Sequence, residues 1–395
     1  NSIPLPATDF LKYKIFGLSE KFDLHFICWD TNANRDAFYS KYHDRLPAKN
    51  IHMFYSKLDA TTIVPLLLQN LSRLIFLPHI SWPLLSRLAK NYGSDLKKIF
   101  TKFSLFYPVI AIRPDIIHFE YGTLARAFSD IKDYSRCKIT SSFRGYDINY
   151  AGLEDKDYYN SVWLNFDGFH FLGNDLKRRA IKRGYQPGKT ETLIPPGIDT
   201  VFFTPSGKAK PTDKLIIVSV GRLAWKKGYE YGLQAIAKLK TKGIPVEYRI
   251  IADGNYTQPI LFAITELGLA DEVKIIPARS PEEVKEHLDQ AHVFLHPAIS
   301  EGFSNAVLEA QAMQLPVVTT NADGLSENVE DGVTGFIVPL YDDIAMAEKL
   351  EWCFHNRERL QAIGNAGRQR VLEHFTIEKQ LEKFAVFYTE LCNDA

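Results

Sequence analysis

No strand-like run in this chain is followed by Gly-x-Gly-x-x-Gly, and no Gly-Lys-Ser/Thr closes a phosphate loop. The dinucleotide fingerprint and the P-loop are therefore both missing, which disfavours an NAD oxidoreductase. Cysteine is scarce: Cys28, Cys137, Cys353 and Cys392 lie far apart with no Cys-x-x-Cys. That spacing argues against a disulfide scaffold or structural zinc and fits a reducing cytoplasm. Net charge is also lacking, since Lys+Arg and Asp+Glu both total 47, so no overall field draws the chain to nucleic acid. The longest early apolar stretch, Leu74 to Ser86, is 13 residues with two prolines, against the roughly 20 needed to span a bilayer. No export signal opens the chain, and a cytoplasmic protein is expected, either free or peripheral on the inner face of the membrane.

What is present is enough apolar material for two domains: 395 residues, 46% hydrophobic. Short β-branched runs alternate with helical segments, the pattern of βαβ units around buried parallel sheets. Strands are predicted at residues 24–29, 116–120, 138–143, 168–172 and 191–194. After the linker Pro205-Ser-Gly-Lys-Ala-Lys-Pro211 they recur at 215–220, 248–252, 273–276, 293–296, 317–319 and 336–338. This divides the chain into an N-terminal domain (1–205), a C-terminal domain (206–376) and a closing helical segment (377–395) predicted to cross back onto the first domain. The N-terminal domain opens on a helical pattern rather than a strand, which leaves room for a strand before it. Doubly wound sheets bind ligands beyond the carboxyl ends of their strands, so two facing halves enclose one deep cleft.

Two segments carry candidate chemistry. In Ser219-Val-Gly221-Arg222-Leu-Ala-Trp-Lys226-Lys227-Gly228 a glycine turn ends a strand and cations precede the next helix; they suit a diphosphate beside a helix dipole, and equally a solvated basic loop. In His296-Pro-Ala-Ile-Ser-Glu301-Gly302-Phe303-Ser304-Asn305-Ala-Val-Leu-Glu309 a helix capped by Ser304 or Asn305 puts Glu301 in the loop and Glu309 about one turn inside. Carboxylates accept hydrogen bonds from sugar hydroxyls, and free amides at the helix start favour anions.

Together these segments resemble the retaining GT-B glycosyltransferases of family 4, the group that includes many exopolysaccharide transferases. The resemblance extends over nearly the whole chain, through Ile194-Pro-Pro-Gly197-Ile-Asp199, Ile251-Ala-Asp253-Gly254, Gly324-Leu-Ser-Glu327 and Asp331-Gly-Val-Thr-Gly335 in the family's order. It implies an α/β GT-B fold of two Rossmann-like domains and metal-independent transfer of a hexose from a nucleotide-diphosphate sugar, UDP-glucose first. The acceptor is a hydroxyl of a saccharide or lipid-linked molecule in surface polysaccharide synthesis, and no cofactor is required. On the resemblance, Arg222 and Lys227 hold the diphosphate, Glu309 the ribose, and Glu301 with the Gly302, Phe303 and Ser304 amides the transferred sugar. Asn305 belongs to the same turn, and Arg279 sits where the family contacts the base. A GT-B nucleotide-sugar epimerase and a non-catalytic UDP-sugar-binding module remain alternatives.

The N-terminal half departs from the family. Arg144-Gly145-Tyr146-Asp147 stands where the family has His-Gly-x-Asp, and arginine, always protonated, cannot shuttle a proton. Arg144 either touches the donor as part of the catalytic centre or pairs with Asp147. Glu120 replaces a second histidine and shares a strand face with His118; it either orients the acceptor hydroxyl, with Asp147 nearby, or is a buried paired carboxylate. His292 and His296 are roughly 13 Å apart on a strand, too far for one zinc, and Asp155-Lys-Asp157 reads as a helix cap. Finally, residues 73–102 carry Arg73, Arg87, Lys90, Lys97, Lys98 and Lys102 against Asp95 alone, a net of +5. Such a stretch suits an anionic membrane surface or a core-packing helix with a basic solvent face.

Overall fold

The computed structural model describes residues 9–29, 48–54, 63–277 and 280–393. The chain enters through α1 (Asp9–Ser19), then β1 (Phe26–Trp29) and β2 (Ile51–Phe54), which form a two-stranded parallel pair. Three helices follow, α2 (Ile63–Phe76), α3 (Pro78–Tyr92) and α4 (Leu96–Ile112). Next come β3 (Ile116–Phe119), α5 (Gly122–Ala125), β4 (Lys138–Phe143), α6 (Gly145–Asn149), α7 (Asn160–Asn165), β5 (Gly168–Phe171), α8 (Asn174–Lys182) and β6 (Thr190–Leu193). Strands β3 to β6 form a parallel sheet in sequential order. Aromatic packing supports it: the Phe143 ring lies 4.4 Å from Trp163 and 5.8 Å from Phe171.

The C-terminal half runs β7 (Leu215–Arg222), α9 (Tyr229–Thr241), β8 (Val246–Asp253), α10 (Thr257–Glu266), β9 (Val273–Ile276), α11 (Pro281–Gln290), β10 (Val293–His296), α12 (Asn305–Ala312), β11 (Val317–Thr320), α13 (Leu325–Asn328) and β12 (Gly335–Val338). Helices α14 (Asp343–His355), α15 (Arg357–His374) and α16 (Ile377–Asn393) complete the chain. Residues 215 to 218 are fully buried, as expected for a strand covered on both faces. The sheet order is β12-β11-β10-β7-β8-β9, entirely parallel. This is the doubly wound order, and it reverses between β7 and β10, so a crevice opens beyond the carboxyl ends of those two strands.

Two crossings join the halves. Ile198 bridges Thr376, with the Ile198 amide donating to Phe375 O at 2.7 Å. Helix α16 then packs on α1 and β6 through Leu18, Ile194, Phe384, Phe387 and Leu391. No helix among the described residues is long and apolar enough to cross a membrane.

The basic stretch 73–102 is less of a surface than its charge suggests. Arg73 is buried, donating to Asn70 Oδ1 at 2.8 Å over the Tyr107 ring. Lys102 pairs with Asp130, and Arg87 donates to the Asp133 carbonyl. The local packing of α2 to α4 consumes half of the expected cations.

Candidate active site

The reversal in strand order sets the site. The loops after β7 and β10 flank the crevice and bring Lys227 to Glu301, where the two side chains form an ion pair. Each is only about one-seventh exposed, 13% and 14%. Burial alone would raise the Glu301 carboxyl, but Lys227 beside it, helped by His296, holds it well below the usual carboxylate range. His296, at the end of β10, places Nε2 3.6 Å from Glu301; burial pushes its own pKa down.

The turn before α9 fixes the Lys227 backbone. Gly228 has φ +60°, and a Cβ there would stand 2.2 Å from Pro297 O, so the two loops meet only because this residue is glycine. Lys226 points elsewhere, its ammonium 5.2 Å from the Tyr150 ring. Arg222, at the end of β7, is exposed at the crevice.

Helix α12 begins as its sequence requires, with the Ser304 hydroxyl accepting from Val307 N. One part of the expected sugar cradle is corrected here. The Ser304 amide donates to Asn328 Oδ1 at 3.0 Å and the Phe303 ring packs against Phe375 at 5.8 Å. The Ser304 amide is thus spent inside the domain. Asn305 is half-buried at the first helical position. One turn on, Glu309 is half-buried and its carboxyl has no hydrogen-bond partner among the described residues. Burial pushes its carboxyl up to about 7. Such an uncompensated carboxyl is costly unless a ligand completes it. Arg279 lies outside the described residues.

The N-terminal domain closes on this loop. A Cβ on Gly145 would stand 3.1 Å from Gly302 N, and one on Gly302 would stand 2.8 Å from Gly145 Cα; the two backbones touch because both residues are glycine. Arg144, next to that contact, donates from Nη2 to Glu120 Oε2 at 2.9 Å and from Nε to the Glu120 carbonyl at 3.2 Å. Its side chain is therefore paired with Glu120, not with Asp147. Asp147 is fully buried and accepts from the backbones of Thr123 and Arg144 at 2.9 and 3.0 Å. Burial raises its pKa against those hydrogen bonds. It organises the turn.

Glu120 also receives Lys14 from α1 at 2.5 Å. Burial would raise the Glu120 carboxyl, but Lys14, His118 and Arg144 more than offset it and hold it below the usual range. Burial lowers Lys14 to about 8 despite Glu120. Of the two readings of Glu120, the geometry is that of the buried, paired carboxylate. His118 continues the network through Ser142 (2.8 Å) to His170 (2.7 Å).

Sequence reasoning missed a latch between the domains. Asp323, in the turn after β11 with φ +42°, accepts from Glu301 N at 3.0 Å and from the Ser300 hydroxyl. It also accepts from Asn149 at 3.0 Å and Arg179 at 2.5 Å, both across the cleft. Glu327 accepts from the Asn174 and Asp175 amides at the start of α8, each at 2.8 Å. The one available signal was position: the β11 turn is adjacent to the β10 turn in the sheet.

Among the described residues no group of three or more His, Cys, Asp or Glu side chains is arranged to hold a metal.

Comparison with known proteins agrees with this geometry. The family model described as "Glycosyl transferases group 1" matches residues 203–370. The amylovoran biosynthesis glycosyltransferase AmsK of Erwinia amylovora is 30% identical over 328 residues, covering 80% of this chain and 79% of that protein. The putative colanic acid biosynthesis glycosyltransferase WcaL of Escherichia coli is 27% identical over 66% of each chain, so the match spans just under two thirds of that relative. In fold, Anabaena HepE, solved with UDP-glucose, superposes with a TM-score of 0.73 at 15% identity over 99% of this chain and 97% of that one. The switch-point crevice, the paired parallel sheets and the AmsK alignment lead to one assignment: the chain belongs to the group 1 glycosyl transferases and has the GT-B fold.

Proposed function

We propose that this chain transfers a hexose from a nucleotide-diphosphate sugar, UDP-glucose first, to a hydroxyl of a saccharide or lipid-linked acceptor in surface polysaccharide assembly, with retention at the anomeric carbon. The observation that carries the reading is the buried Lys227–Glu301 pair at the reversal of strand order, with the unpaired Glu309 carboxyl on the helix that follows the Glu301 loop. On the proposal, the donor diphosphate takes Lys227 from Glu301. The freed Glu301 carboxylate then accepts from hydroxyls of the transferred sugar, and Glu309 accepts from the ribose. Charge grows on the departing diphosphate, so Lys227, Arg222 and the amides before α12 stabilise the transition state more than the bound donor. With these cations supplied by the protein, the reading assigns no role to a metal.

The bond from the anomeric carbon to the diphosphate oxygen breaks and one to the acceptor oxygen forms on the same face. The acceptor proton passes to the leaving phosphate. Arg144, fixed by Glu120 beside the Gly145–Gly302 contact, is assigned to the donor side of the cleft as a fixed positive charge. The glucose choice is supported by the HepE complex with UDP-glucose, a likeness of fold.

The test is transfer of labelled glucose from UDP-glucose to a saccharide and lipid extract, by wild type and by Glu301→Ala. Label should enter the extract with wild type alone, while Glu301→Ala still binds UDP. Unchanged transfer by Glu301→Ala would reject its role, and conversion of the donor sugar without any acceptor would favour an epimerase.

A further inference from the structure

Helix α2 is built inside out. Its inward face carries Leu66, Asn70 and Arg73, with Asn70 donating to Ser104 Oγ at 2.7 Å and Arg73 to Asn70 at 2.8 Å. Its outward face carries Val64, Leu67, Leu68, Leu71 and Ile75, each roughly half or more exposed. The spacing of 3, 1, 3 and 4 residues makes one continuous stripe. Phe76, 77% exposed, and Leu77 and Trp82 extend it onto α3. Single exposed apolar residues are ordinary, but a contiguous patch of this extent marks a contact surface.

Charge identifies the occupant. From Ala60 to Ser94 there is no Asp or Glu, and Lys90 on α3 and Lys97 and Lys98, beside Asp95 at the start of α4, are exposed. A second copy of this chain would set one net-basic surface against another, which like-charge repulsion opposes. An anionic headgroup layer satisfies both features, receiving the apolar stripe at its acyl boundary and the cations at its surface. The helix has 14 residues, about 21 Å, and two polar residues committed inward, so it lies along a bilayer and does not span one.

We propose that the outward face of α2, continued by Phe76, Leu77 and Trp82, is a docking surface for an anionic lipid bilayer. The sequence expectation placed an amphipathic contact on 73–102; here the apolar contact lies mainly on α2, N-terminal to most of that stretch, and the exposed cations select the lipid. The proposal goes beyond the transfer reading and stands without it.

The test is flotation of the full chain with vesicles of phosphatidylcholine plus phosphatidylglycerol, and of phosphatidylcholine alone. Wild type should bind the mixed vesicles preferentially. Leu68→Glu with Leu71→Glu should weaken that binding about tenfold or more, since each replaces a buried apolar contact by a charge, with unchanged thermal melting and UDP binding. Phe76→Ser, at the exposed helix end, gives an independent reading in the same direction. Failure of wild type to bind either vesicle, or unchanged binding by both variants, overturns the proposal. So does a wild-type dimer that the double variant converts to monomer without any vesicle binding.

Discussion

Glu309→Gln should make the protein more stable and worse at holding its donor. The Glu309 carboxyl is raised from 4.5 to about 7 by burial alone. A glutamate in the unfolded chain ionises near 4.5, whereas the folded protein keeps the proton to about 7. Below pH 4.5 both states are protonated and the residue costs nothing; stability then falls as pH rises towards 7 and is flat above it. At about 1.4 kcal/mol per pH unit the full cost is about 3 kcal/mol. Partial exposure reduces it to about 1–3 kcal/mol. The amide is isosteric and uncharged, so Glu309→Gln should gain that amount at pH 8 and almost nothing at pH 4.5. At about 2–4 °C per kcal/mol for a domain of this size, the gain is visible by calorimetry. Binding should move the other way. A hydrogen bond to a charged acceptor contributes about 1.5–3 kcal/mol, so UDP-glucose should bind about 10- to 100-fold more weakly. Wild-type affinity should rise as pH passes through about 7, where Glu309 ionises, and the variant should lose that dependence. A variant that binds the donor as well as wild type and melts no higher at pH 8 would refute the assignment of Glu309 as a ligand-completed carboxylate.

Lys227→Ala removes the cation assigned to the diphosphate and leaves Glu301 buried without its partner; UDP affinity by calorimetry should fall about 10- to 100-fold, and Lys226→Ala should change it far less. Asp323→Ala removes the acceptor shared by Glu301 N, Asn149 and Arg179; kcat/KM should fall while UDP binding persists, and X-ray scattering should show a larger radius of gyration. Glu120→Gln leaves Lys14 and Arg144 facing a neutral amide; urea denaturation should show a loss of about 3–5 kcal/mol.

Local chemistry made much of the fold readable. Strands buried on both faces appear as largely apolar runs, and the predicted strand at 293–296 coincides with β10, buried throughout. The Ser304 cap and the offset from Glu301 to Glu309 follow from helix geometry alone. The strand Ile51–Phe54 was not predicted, because four residues interrupted by His52 give no decisive period. Partnerships across the cleft were unreadable for another reason. Arg144 chose Glu120 over the nearby Asp147 because Asp147 is already committed to two backbone amides. The Asp323 contacts join residues 144 and 174 positions apart. Helix α2 shows the limit of periodicity, since an apolar stripe normally marks the buried face and here Asn70 and Arg73 take the inside.

The central claim is that the crevice between β7 and β10 holds a nucleotide-diphosphate sugar. Its most direct test is calorimetric titration of UDP-glucose, with GDP-mannose in parallel, into wild type and Lys227→Ala. Saturable binding of UDP-glucose by wild type, weakened at least about tenfold in the variant, is the predicted result. Absence of binding by either sugar nucleotide, or binding that is indifferent to Lys227, would contradict the account.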